Sequence, residues 1–446
     1  NEAFDKALAN GAVLKKTLLK PFEAVILKGN SENLRPTLYD LVAHDALDHY
    51  KNANNYITGP AYAFEINKEV ALGVVERFTN YGFASADTAS NLLKALQLFQ
   101  QLIRFHRSDA EPSAFIDVNL ERIQWVYETG VMQNKELLYT RALDEVTTKY
   151  ADHPVAAQAW YIKAQAHASK AKMYKPFADT ANRYHFVLAK QLIEERLKAQ
   201  PAVSPGNTNM QMLLQEITAK SLHAEVEDVN VPGLPFRLSL HYKNTDTLYT
   251  RIIKKAGNNS EENEMQNWEE GFWKKIANLK YIRSAVQPLP ATNDYQQHST
   301  EIKVDALPPG NYYILGSIGK NFIDSTDYLF LQEFTVSAIS FLQNDDNYFV
   351  LHRETGQPLK NVSVKQIAWK RTGSGNDIKV VAANYTTDAN GWFQLKRTKT
   401  NEYFNGHLEF ATGDDYLESG SRSYYPIYNN VQKETGEDAF EKENAQ

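Results

Sequence analysis

The spacing of apolar residues changes period once along this chain, near Ser221, and that change sets what the chain can fold into. Before it, apolar residues recur at three- and four-residue steps. Leu92, Leu93, Leu96, Phe99, Leu102 and Ile103 lay one stripe along a predicted helix. A second helix opens behind Pro112 and carries Phe115, Ile116, Val118, Ile123, Trp125 and Val126. A third runs from Leu137 to Tyr150 and stops at Asp152-His153-Pro154, where the proline ring disfavours α geometry at His153. Pro154 then starts a helix rich in alanine. The pattern pauses at Pro201-Ala-Val-Ser-Pro-Gly, and one last helix is expected over about 210–219.

After Ser221 the alternation has period two. Phe236-Arg-Leu-Ser-Leu-His-Tyr, Thr247-Leu-Tyr-Thr-Arg-Ile-Ile and Asn311-Tyr-Tyr-Ile-Leu read as half-buried strands between turn residues. A polar insertion at 258–280, carrying Trp268, Phe272 and Trp273, is either a helix crossing the sheet or an exposed arm. Further strands follow from Ala338: Tyr348-Phe-Val-Leu-His-Arg, the turn Glu354-Thr-Gly-Gln-Pro, then Val362-Ser-Val-Lys-Gln-Ile. The expected fold class is therefore α plus all-β in several domains, with four segments. Residues 1–220 form an irregular helical repeat domain. Residues 221–337 and 338–431 form two antiparallel β-sandwiches, and 432–446 a disordered tail rich in Glu and Lys.

Composition narrows the function classes. At 446 residues, several domains are the natural expectation. A net charge of −6 supplies no basic field for phosphate backbones, so nucleic acid is not an expected partner. The absence of cysteine removes disulfides, thiolate metal sites, cysteine nucleophiles and thioesters. No apolar run approaches the length needed to span a bilayer, and the chain is expected to be soluble. The start, Asn1-Glu-Ala-Phe, has no apolar export segment, so any such signal is expected to have been removed.

Three places invite a reading as sites. Asp40, His44, Asp45, Asp48 and His49 share one helix, and His44 and Asp48 are four apart, so both could point at one ion. The histidines are five apart and no HExxH pattern is present, so a solvated helix face is the simpler reading. Asp388 and Asn390 before Gly391 resemble the start of a calcium loop, but its twelfth position is Lys399, a cation. A hairpin turn accounts for all three residues. Gly373-Ser374-Gly375 lacks the spacing of a nucleophile elbow. No residue is assigned a catalytic, cofactor-binding or metal-binding role, no cofactor is expected, and the chain is read as not an enzyme.

Tyr139-Thr-Arg-Ala-Leu-Asp-Glu, His153-Pro154 and Ala157-Gln-Ala-Trp160-Tyr161 resemble one tetratricopeptide-type helical hairpin, without a firm 34-residue period. The β half resembles a family. Tyr348-Phe-Val-Leu-His-Arg-Glu-Thr-Gly-Gln-Pro-Leu-Lys-Asn-Val-Ser-Val, followed by Thr387-Asp-Ala-Asn-Gly-Trp-Phe, is similar to a macroglobulin-type sandwich of bacterial alpha-2-macroglobulin-like proteins. Ser221-Leu-His-Ala-Glu-Val-Glu, Pro235 to Ile252 and Leu307-Pro-Pro-Gly-Asn-Tyr-Tyr-Ile resemble the preceding domain of the long bacterial members. Thr-Gly-x-Pro with Thr-Asp-x-x-Gly also occurs in other Ig-like modules, so it is the order of the parts that carries the likeness.

The resemblance implies protease trapping by the full protein. It implies proteases and further macroglobulin domains of the same chain as partners, and a place outside the cytoplasm, periplasmic or associated with the outer membrane. With neither thioester nor recognisable bait segment, these residues are expected to be a non-catalytic amino-terminal scaffold fragment. The other expectation is a stand-alone binding protein whose helical domain grips a peptide or glycan.

Overall fold

A computed structural model describes residues 2–22, 24–26, 34–52, 62–255, 269–371, 377–396, 404–420 and 422–424. Gly373-Ser374-Gly375, Trp268, Lys399 and the expected tail at 432–446 lie outside the described residues. The chain divides into two units, one comprising Asn1–Ala219 with Thr292–Gln296, the other Lys220–Ala291 with Gln297–Gln446.

The first unit is helical: α1 (Glu2–Ala9), α2 (Gly11–Leu14), α3 (Leu38–Lys51), α4 (Val75–Asn80), α5 (Asn91–His106), α6 (Ser113–Thr129), α7 (Lys135–Lys149), α8 (Ala157–Ala171), α9 (His185–Ala199) and α10 (Pro205–Thr218). The stripe on α5 is buried as its spacing requires, with Leu96, Phe99, Leu102 and Ile103 inaccessible to solvent. They join Leu47 of α3, Ile123 of α6 and Leu143 of α7 in one apolar cluster. A second cluster packs Ala164 and Ala168 of α8 against Ile193 of α9 and Met210 of α10. The expected halt at His153 is present, but Pro154–Ala156 first form a 3₁₀ turn, and His153 Nδ1 accepts from Val155 N at 3.2 Å.

The last helix begins earlier than its apolar pattern predicts. Ser204 Oγ accepts from Asn207 N and Pro205 occupies the first turn, so the apparent pause is a helix start. The segment Thr292–Gln296 completes this unit. Asp294, fully buried, accepts from Arg183 Nε at 2.8 Å, and Gln296 Nε2 donates to the carbonyls of Ala171 and Arg183.

The second unit holds β1 (Ser221–Val226), β2 (Val229–Asn230), β3 (Phe236–Lys243), β4 (Thr247–Lys254), α11 (Phe272–Ala277), β5 (Arg283–Pro288), β6 (His298–Val304), β7 (Gly310–Ser317) and β8 (Leu329–Val336). Strands β1-β3-β6 form one antiparallel sheet. The second sheet, β2-β8-β7-β4-β5, is antiparallel apart from the short β2–β8 pair. Alternation decides the packing. Leu238 and Leu240 of β3 meet Leu248 and Ile252 of β4 and Tyr312 and Ile314 of β7 in one cluster. The intervening residues Ile253, Tyr313 and Leu315 face the other way, onto Phe272 and Ile276 of α11. The described part of the 258–280 insertion is thus a helix laid on the sheet, tied by Arg251 Nη1 donating to Ala277 O at 2.8 Å.

The remaining strands are β9 (Ile339–Asn344), β10 (Asn347–His352), β11 (Ser363–Arg371), β12 (Asp377–Thr386), β13 (Trp392–Gln394), β14 (Phe404–Thr412), β15 (Asp415–Glu418) and β16 (Arg422–Tyr424). Two antiparallel sheets result, β13-β10-β9 and β12-β11-β14-β15, with β16 also on β14. Tyr348, Val350 and Phe393 of the smaller sheet share a cluster with Val364, Leu408, Phe410 and Leu417 of the larger. The protein is accordingly a mixed α plus β chain of several antiparallel sheets. Among the described residues no helix is long and apolar enough to cross a membrane.

Candidate functional site

The helix predicted to carry Asp40, His44, Asp45, Asp48 and His49 is α3, and the structure separates these five residues. Asp40 and His44 are buried rather than solvated, at 0% and 3% exposure. Asp45 and Asp48 face outward and His49 is half-buried against the Phe4 ring. Asp48 pairs with Lys51 at 2.8 Å, so His44 and Asp48 do not converge on one point. The solvated reading fits Asp45 and Asp48, while Asp40 and His44 lie on another face. It is an internal polar seam, which burial permits because distant helices bring partners.

Asp40 closes a capping box with Thr37, whose backbone N–H and hydroxyl both donate to Oδ2. Its Oδ1 lies 2.8 Å from His106 Nε2, at the end of α5. The other ring nitrogen of His106 lies 2.7 Å from Asp109 Oδ2. Burial favours the neutral ring, but the two carboxylates outweigh it and the His106 pKa is raised. One turn along α3, His44 Nδ1 lies 3.2 Å from Glu121 Oε2 of α6. Lys51 Nζ donates to Glu121 Oε1 at 2.5 Å. Burial alone would raise the Glu121 carboxyl, but His44 and Lys51 prevail and bring it down to about 2. Among the described residues, the seam consists of acids, imidazoles and a lysine that pair with one another. A shallow depression of about 460 Å³ in this unit is lined by Val70, Glu76, Arg77, Asn80 and Tyr81 instead. The chemistry of the seam is therefore that of a clamp between α3, α5 and α6.

The Asp388–Gly391 segment is a turn. Asp388 Oδ1 accepts from the backbone N–H groups of Asn390 and Trp392, both at 2.8 Å, and Gly391 has φ +71°. A carboxylate oxygen so occupied is orienting the hairpin into β13.

Sequence reasoning missed the three residues of the second unit that stand closest to a ligand set. His407 and Glu409 are two apart on β14, so they share a sheet face. Glu418 of β15 lies directly opposite Glu409 in the antiparallel register. One donor atom from each of the three falls within 4.8 Å of the others, and they form the one such group among the described residues. His407 Nε2 is 3.5 Å from Glu409 Oε1 and 4.0 Å from Glu418 Oε2. This nitrogen is buried and, among the described residues, has no partner at hydrogen-bond geometry. Lys379 of β12 donates to Glu409 Oε1 at 2.7 Å. Burial raises the Glu409 carboxyl, but Lys379 and His407 turn the balance and its pKa is lowered. The sequence carried part of the signal, His-x-Glu on an alternating strand, while the residue returned opposite Glu409 depends on the hairpin register.

No protein-family model matches this chain, and a search of curated proteins returned no match. Among solved structures, a transglutaminase from red sea bream aligns with 51% of this chain and 34% of its own, at 12% identity and a TM-score of 0.21. The alkylpurine DNA glycosylase AlkC of Pseudomonas fluorescens, solved with DNA containing an abasic site analog, aligns with 66% of this chain and 96% of its own. Its identity is 12% and its TM-score 0.17. Likenesses this slight carry no argument about fold or activity.

Proposed function

We propose that this chain is the amino-terminal scaffold of a bacterial alpha-2-macroglobulin-like protein, contributing to protease trapping through the full protein without itself being catalytic. The observation that supports this reading is one of order. A helical unit precedes two successive pairs of sheets, each pair closed on a single apolar cluster. On this reading the two pairs are macroglobulin-type, Ig-like sandwiches, and the helices are an irregular tetratricopeptide-like array.

The turns that carry the family resemblance have a physical basis. Gly356, in Thr-Gly-Gln-Pro, and Gly391, in Asp-Ala-Asn-Gly, both have φ +71°. A side chain at Gly391 would also strike the Val350 carbonyl, its Cβ lying 2.3 Å from that oxygen. Proteases would be the targets, further macroglobulin domains the covalent neighbours, and the cell envelope outside the cytoplasm the site of action.

The test compares this chain with the full encoded protein, each incubated with trypsin. Trapping by the full protein shields a large substrate such as casein while a small peptide substrate is still cut. This chain alone, at micromolar concentration, leaves both cleavages unchanged. Stoichiometric inhibition by this chain alone, or an encoded protein without further β domains, overturns the proposal.

A second reading is favoured by one surface feature of the helical unit. Phe177 is fully exposed and Tyr184, Met173 and Leu188 are exposed beside it in sequence. Such rings can stack on a sugar or grip a peptide, which would make the chain a self-contained binding protein. Saturable binding of a glycan or peptide, lost in Phe177→Ala with Tyr184→Ala, would favour it over the scaffold reading.

A further inference from the structure

We propose that His407, Glu409 and Glu418 form a three-ligand site for a divalent transition-metal cation with the preferences of zinc. Three independent features of the sheet converge on it. Strand alternation sets His407 and Glu409 on one face, and the β14–β15 register sets Glu418 in the same row. The donor atoms already stand close, with His407 Nε2 at 3.5 Å and 4.0 Å from the two carboxylates. A tetrahedral zinc with bonds of about 2.1 Å needs its donors roughly 3.4 Å apart, so small rotations of two glutamates close the set.

The decisive feature is the imidazole. The His407 side chain is 8% exposed, and among the described residues its Nε2 stands within ion-pair reach of both carboxylates but finds no partner at hydrogen-bond geometry. A buried ring nitrogen left in that state is destabilising, and a cation bound to its lone pair satisfies it. A neutral imidazole and two carboxylates carry two negative charges, the complement of a dication. One nitrogen and two oxygens match zinc-type sites, whereas calcium and magnesium favour all-oxygen sets. Three protein ligands leave a fourth position open to water or to another group.

Two neighbours complete the site. Tyr416 donates its hydroxyl to Glu418 Oε1, which orients the carboxylate with Oε2 4.0 Å from His407 Nε2. Lys379 is the competitor, since its ammonium holds Glu409 Oε1. Its side chain is 35% exposed on a flexible stem, so binding of the cation moves it into solvent. The competition makes a prediction that a mere ion-pair cluster does not: removing the lysine charge must strengthen the metal.

The test titrates the whole chain with zinc chloride by calorimetry, and with cobalt(II) by visible absorption. The wild-type protein is expected to bind one ion, with the intense cobalt bands of four- or five-coordination. Glu418→Gln, a substitution at a half-exposed position, weakens zinc roughly tenfold or more, and Lys379→Met tightens it. His407→Gln abolishes the site. The proposal is overturned if wild type takes up no zinc, or if Glu418→Gln and Lys379→Met both leave the affinity unchanged.

Discussion

His106 Nε2 lies 2.8 Å from Asp40 Oδ1, joining residues 66 positions apart, while its Nδ1 lies 2.7 Å from Asp109 Oδ2. One imidazole therefore bridges the start of α3 and the end of α5 inside the protein. Asp40→Asn keeps the shape but removes the charge that holds the ring. It is expected to cost about 3 kcal/mol, the scale for breaking a buried pair. The His106 pKa should fall at the same time. Denaturant unfolding and an NMR titration of His106 check both, and a loss below about 1 kcal/mol would rule out a buried charge pair.

Two sets of histidines give opposite pH dependences. The raised pKa of His106 contributes stability fully present below about 6.5, the unfolded value, and lost as pH rises through the folded pKa. His167 and His185 behave in the reverse sense. Their Nδ1 atoms are 2.8 Å apart, so one must donate to the other and both rings cannot be charged there. Burial, the His185 charge, Lys170 and Lys163 lower the His167 pKa, and burial with Lys170 lowers that of His185. Their contribution is intact above about 6.5 and is lost as pH falls below it towards the folded values. His167→Gln should flatten the acid side of the stability profile, and His106→Gln should remove the decline above about 6.5. Melting temperatures between pH 5 and 8 in the three proteins separate the two.

How much of this was legible depends on range in sequence. The stripe of α5, the stop before Pro154 and the alternation in β3, β4 and β7 are local patterns, and each formed the element it implied. Ser204-Pro205 was also local, but its apolar residues begin only at Met210, so the cap and not the stripe marked the start of α10. Asp40 and His44 looked solvated because nothing within one helix reveals His106 or Glu121. Glu418 could not be placed beside Glu409 without the register of the β14–β15 hairpin. Nothing in the alternating half marks Asp294 and Gln296 as partners of Arg183 and Ala171.

The alanine-rich α8 predicts close helix approach, and Gly206 shows how close. A Cβ there would lie 2.3 Å from the Ala157 carbonyl carbon and 2.4 Å from Gln158 N, both backbone atoms with no rotamer to change. Gly206→Ala should cost about 2 kcal/mol or more through overpacking. Gly82→Ala, where nothing lies within 4 Å, serves as the control and should be near neutral. Equal melting temperatures for the two variants would mean that α8 and α10 are not in backbone contact.

Arg122 is 1% exposed and sits over the Phe78 ring at 4.4 Å, donating to the carbonyls of Ala71 and Gly73 and to Asn119 Oδ1. Burial brings its pKa down to about 9. Lysine keeps the charge but cannot supply the planar fork, so Arg122→Lys should cost about 2 kcal/mol despite its conservative look. Retained stability in that variant, measured by urea unfolding, would show that charge alone suffices there.

The passage from β8 to β9 is two residues long, and three of its four backbone polar groups are hydrogen-bonded. Ser337 N donates to Asn230 O, Ala338 N to Asp415 Oδ2 at 2.8 Å, and Arg353 N to Ala338 O. Ser337 itself is inaccessible. A joint so held ties the two sheet pairs through backbone hydrogen bonds, which a polar linker would lack. Asp415→Ala leaves the Ala338 N–H without its acceptor, at a cost of about 1–3 kcal/mol. Local opening should then expose the joint to proteolysis. Limited digestion followed by mass spectrometry should find cuts at 337–339 in the variant and none in the native protein. Equal cutting in both would mean that Asp415 does not close the joint.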